Sequence, residues 1–112
     1  MESGQQESAA RNEALFREIN ERISEITDSQ RERTAEIFCE CSVTSCNELI
    51  QVSLAEYEAV RARGNRFAVI AGHEEPAVER VVERNERFAL VEKIGRGADV
   101  AEELNPRSSP PG

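Results

Sequence analysis

Thr34-Ala35-Glu36-Ile37-Phe38-Cys39-Glu40-Cys41 alternates strictly, with Ala35, Ile37, Cys39 and Cys41 on one side and Glu36, Phe38 and Glu40 on the other. Successive side chains of a strand point to opposite faces, so this period of two predicts a strand that delivers two thiols to one face. A polar turn over 42–45 and Cys46 follow. Glu48 to Ser53 then reads as a second strand, antiparallel to the first. The hairpin decides the fold class, because a helical pattern precedes it and short strands with one short helix follow. The expected architecture is α+β: an N-terminal amphipathic helix, then a small antiparallel sheet with one short helix, stapled by zinc.

Upstream, Phe16, Ile19, Ile23 and Ile26 recur at spacings of three and four and form one stripe, widened by Leu15. A helix over 11–28 is predicted, with Glu13 and Arg17, and Glu18 and Arg22, as i,i+4 pairs on the solvent face. Two heptads are too few for an independent coiled coil, so the stripe must dock on something. Either the protein's own sheet or a partner surface, a second copy included, satisfies it.

Downstream, Ser53-Leu54-Ala55-Glu56 fits a capping box and opens a helix over 54–63, with Gly64-Asn65 as its left-handed stop. Arg66 to Ala71 reads as a third strand leading to Gly72-His73. Val78 to Glu83 and Arg87 to Lys93 read as two more strands. Pro76 also permits a helix over 77–84, and the β-branched content favours the strand. Residues 1–10 and 95–112 are expected to be disordered tails around one domain over 11–94, with at most a helical turn at Val100 to Leu104.

Cys39, Cys41, Cys46 and His73 are the whole soft-ligand inventory of the chain. Three thiolates and one imidazole complete a closed tetrahedral zinc site. Residues i and i+2 of a strand share a face, the turn can return Cys46, and Gly72 can let the backbone aim His73 inward. Glu74 or Glu75 is expected to hold the second ring nitrogen. A thiol redox site and inert core cysteines are the competing readings.

The net charge of −8 opposes a phosphate backbone, so nucleic acid is not an expected partner. No apolar run approaches a membrane span, and the first residues do not form a signal peptide, so the expected location is cytoplasmic. There, three closely spaced cysteines read as metal-binding rather than as a disulfide framework. His73-Glu74-Glu75 matches the HxE of nucleobase deaminases, but their following PCxxC pair is absent, as is HExxH. No catalytic activity is expected.

Together, Asn12 to Ile23, Phe38-Cys39-Glu40-Cys41, Tyr57-Glu58-Ala59-Val60-Arg61, Gly72-His73-Glu74, Val81-Val82-Glu83 and Val91-Glu92-Lys93 resemble a group of small actinobacterial proteins that share an FxCEC, YExVR and GHE layout. The resemblance spans residues 12 to 93. It implies that the three cysteines and the GHE segment belong to one unit, and it implies no activity. Thirteen arginines against one lysine accord with a GC-rich genome. The expected function is a zinc-stabilised protein-interaction or regulatory module, offering Phe16, Ile19, Ile23 and Ile26 to an unidentified protein partner or to a homodimer. The alternative is a redox-responsive zinc–thiol switch.

Overall fold

The computed structural model describes residues 2–107 apart from 42, 44 and 45, with side chains described from residue 11 onward. The expectation for residues 108–112 lies outside the described residues. The order is α1 (Glu2–Ser29), β1 (Thr34–Phe38), β2 (Leu49–Ser53), α2 (Leu54–Arg61), β3 (Arg66–Val69), β4 (Glu79–Arg84), β5 (Ala89–Lys93) and α3 (Gly95–Glu103). The fold is α+β. Its strands form two antiparallel sheets: β1 pairs with β2, and the order β3-β5-β4 makes the second.

The β1–β2 register runs from Thr34 opposite Ser53 to Phe38 opposite Leu49, and the ladder continues with Cys39 N–H donating to Glu48 O at 2.9 Å. One residue later the chain changes sheets, because Glu40 N–H donates to Ala68 O of β3 at 2.8 Å. Ile37, Ile50, Val52, Tyr57, Phe67, Val69 and Val91 close the core between the sheets, each at 2 % exposure or less. Within 77–84 the structure shows a strand, from Glu79 to Arg84, with a bulge between Val81 and Glu83.

The capping box forms as read: Ser53 Oγ accepts from Glu56 N–H and Glu56 Oε1 accepts from Ser53 N–H. Hydrogen bonds from Arg87 and from Ser53 hold the Glu56 carboxyl down at about 2.

α1 ends in a Schellman arrangement. Arg31 N–H donates to Asp28 O, Glu32 N–H donates to Thr27 O, and Arg31 has φ +61°. A left-handed conformation costs a residue with a Cβ about 1 kcal/mol or more. Arg31→Gly is therefore expected to raise stability by about 0.5–1 kcal/mol, seen as a higher urea midpoint at unchanged slope.

Four expectations are corrected. α1 begins at Glu2 rather than at residue 11. The segment after residue 95 is not a tail: α3 buries Gly97, Val100 and Ala101 and packs on α1. Gly95 and Gly97 lower helix propensity, but a row of small residues lets two helices approach closely. Beyond α3, Arg107 returns to bond Glu21 and Glu58 beside the Tyr57 ring.

Gly64 is not a left-handed stop, since among the described residues the glycines with positive φ are Gly72 and Gly95. It is small for another reason: a Cβ there would lie 2.7 Å from Asn105 Nδ2 and 2.9 Å from Glu102 Oε1. Finally, Glu13 and Arg17 do not form a solvent-side pair. Both are buried, at 0 % and 1 % exposure.

Their partners lie far away in sequence. Lys93 Nζ sits 2.6 Å from Glu13 Oε1 and 3.2 Å from Glu79 Oε1. Burial and the Glu79 carboxylate push the Glu13 carboxyl well above its ordinary value, against the pull of Lys93. Arg17 donates to Gly64 O just beyond α2 and to Ala101 O in the last turn of α3, with its guanidinium 4.9 Å from the Phe67 ring centre. A cation shared by two helix C-termini is favourably placed against both macrodipoles.

Candidate metal centre

Three segments converge on one point. The segment just beyond β1 supplies Cys39 and Cys41, both fully buried, and the stretch leading into β2 supplies Cys46, half-buried. The turn after β3 supplies His73. That turn is closed by His73 N–H donating to Ile70 O at 2.8 Å, with Gly72 at φ +98° in its third position. This is the type II geometry, which demands a glycine there.

One donor atom from each of Cys39, Cys41, Cys46 and His73 lies within 4.8 Å of all the others. Nδ1 of His73 is 3.6 Å from Cys39 Sγ and 3.7 Å from Cys46 Sγ. The group could hold a metal ion. All three cysteines are free thiols. Desolvation raises the Cys39 and Cys41 thiols above their ordinary range. A dication among them would reverse that balance, since a coordinating thiol loses its proton. Ile70 N–H donates to Cys39 Sγ at 3.2 Å and would help to neutralise a metal-bound thiolate.

The outer partner of the imidazole differs from both glutamates proposed from sequence. Glu48 Oε2 lies 3.2 Å from His73 Nε2. Glu74 instead accepts from Gly72 N–H and from Arg84, and the Glu75 N–H donates to Glu79. Glu48 is positioned by the ladder itself: its carbonyl accepts from Cys39 N–H while its side chain reaches the histidine. A carboxylate on Nε2 favours the tautomer that leaves Nδ1 free to ligate a metal.

The residue between the two buried thiols carries the other half of the arrangement. Glu40 points away from Cys39 and Cys41 into the core at 0 % exposure. Its Oε1 accepts from Arg61 Nη2 and from Ala68 N–H at 2.9 Å. Its Oε2 accepts from Arg61 Nη1 at 3.0 Å and from Asn20 Nδ2 at 2.7 Å. Both oxygens are thus saturated. The signal was present in the joint occurrence of CEC and YExVR, since Arg61 closes the second motif.

Asn20 also brackets Phe38, accepting from its N–H at 2.8 Å and donating to its carbonyl at 2.9 Å. β1 is therefore held on both sides just where it enters the cysteine cluster.

The four proposed partner-binding residues divide. Phe16 and Ile23 are half-buried, with Phe16 6.4 Å from the Phe38 ring, whereas Ile19 and Ile26 are exposed. Among the described residues, no helix is long and apolar enough to cross a membrane. No protein-family model, curated protein or solved structure matches this chain.

Proposed function

We propose that this chain is a small zinc protein whose three-thiolate, one-imidazole site is structural, and that it serves as a protein-interaction or regulatory module without catalytic activity. The observation that carries this reading is the convergence of the four donor atoms. Zn–S and Zn–N bonds of about 2.3 and 2.05 Å in a tetrahedron put sulfur and nitrogen about 3.6 Å apart and two sulfurs about 3.8 Å apart. The two sulfur–nitrogen distances of 3.6 and 3.7 Å match that edge, and the 4.8 Å limit on all pairs leaves at most about 1 Å of closure. Soft thiolates favour zinc over magnesium or calcium.

Four protein ligands leave zinc no open position for water, which supports a structural rather than a catalytic role. A reducing cytoplasm would keep the thiols available, and the resemblance to the small actinobacterial proteins unites the same residues. The test is metal analysis of protein purified without a histidine tag. One zinc per chain is expected, bound at least tenfold more weakly in His73→Ala. Zinc-free wild-type protein that stays folded and takes up no zinc on titration would refute the assignment.

A second reading rests on Cys46, the one half-exposed thiol of the three. If the site is a redox switch, peroxide oxidises Cys46 first and zinc leaves. Sub-millimolar peroxide that releases no zinc to a chelating dye would exclude this reading.

A further inference from the structure

α1 turns its polar side inward. Glu13, Ala14, Arg17, Asn20 and Thr27 are each at most 9 % exposed, while Leu15, Ile19 and Ile26 are 58, 39 and 56 % exposed. At 100° per residue these three apolar residues fall within about 40° of one another, on the side opposite Arg17. The core closes without them. Single exposed apolar residues are ordinary, but three aligned along a 28-residue helix form a stripe.

We propose that this stripe docks on the same stripe of a second copy, with the two α1 helices antiparallel about a twofold axis. Leu15, Ile19 and Ile26 occupy core positions of a heptad pattern, and Arg11, Glu18 and Glu25 recur at sevens along one flank. All three flanking residues are exposed.

With Leu15 of one copy against Ile19 of the other, the antiparallel seam brings each flank against its own counterpart. Arg11 then faces Glu25 of the copy, twice by symmetry, and only Glu18 meets itself. A parallel pair would place Arg22 against Arg22 in the seam and leave Glu18 and Glu25 without a basic residue opposite. In this register Leu15 and Ile19 form the self-complementary centre of the seam, as a twofold interface requires, and Ile26 extends it toward the partner's helix start. Its apolar area is small compared with a stable dimer interface of about 800 Å² per partner, so the expected dissociation constant is about 10–100 µM.

The test is sedimentation of the full-length chain from about 5 to 500 µM, with helicity and zinc content checked in each variant. A reversible dimer is expected. Ile19→Glu should weaken it at least tenfold. Arg11→Glu and Glu25→Arg should each weaken it several-fold, and the two together should restore it to within about threefold of wild type. If Ile19→Glu fails to fold, the charge reversals at exposed positions decide. A monomer throughout the range, or a dimer that neither Ile19→Glu nor the reversals weaken, overturns the proposal. Single reversals that weaken the dimer without rescue in the double variant overturn the antiparallel arrangement.

Discussion

Glu40→Gln is expected to lower folding stability by about 3–5 kcal/mol, which is most of what a domain of this size commands. The substitution keeps the shape of the side chain and removes its charge. Arg61, at 4 % exposure, then becomes a buried cation without its counter-ion. The new amide NH2 must also face two of the four donors that now converge on the carboxylate. Urea denaturation measures the loss. A Glu40→Leu, Arg61→Met double variant should recover part of it, because removing both charges also removes their desolvation penalty. A loss below about 1 kcal/mol for Glu40→Gln would mean that the Arg61 pair does not anchor β1. Zinc content of the same variant reports whether the anchor also positions the thiols on either side of it.

Zinc removal is expected to have the second large effect. Chelation should lower the melting temperature by more than about 12 °C, corresponding to roughly 3 kcal/mol or more at 4–8 °C per kcal/mol. Metal binding free energy becomes folding free energy wherever the unfolded chain has no preformed site. Here the ion would tie His73 to Cys46 across 26 intervening residues, and such a link constrains the unfolded ensemble much as a covalent staple does. Cys39→Ser should reproduce the loss, with no further effect of chelator. Thiol reagents should label the buried Cys39 and Cys41 only after chelation. Normal thermal unfolding of a zinc-free Cys39→Ser protein would show that the site does not stabilise the fold.

The parts of this fold that can be read from sequence are those whose cause is local. The alternation from Thr34 marks β1, although the strand ends at Phe38, before the cysteines, and the capping box at Ser53 starts α2 where expected. What cannot be read are interactions that only the tertiary structure creates. A helical wheel assigns Glu13 and Arg17 to solvent because their partners, Lys93, Gly64 and Ala101, lie 80, 47 and 84 residues away. Those partners offset part of the cost of burying the two side chains, and Leu15, Ile19 and Ile26 of α1 are left outside. α3 escapes notice because its glycines lower propensity while its small face improves packing. The exchange of Glu74 and Glu75 for Glu48 follows from the ladder, which places Glu48 opposite Cys39.

The bracket that Asn20 places on Phe38 has one more consequence. A strand edge with unpaired N–H and C=O groups is a template for another chain, and the Asn20 amide occupies that edge as a single peptide unit would. If α1 swung away to meet a partner, it would uncover this edge and invite strand-to-strand aggregation. An α1 that engages partners through its outer face keeps the edge sealed, so association need not compete with solubility.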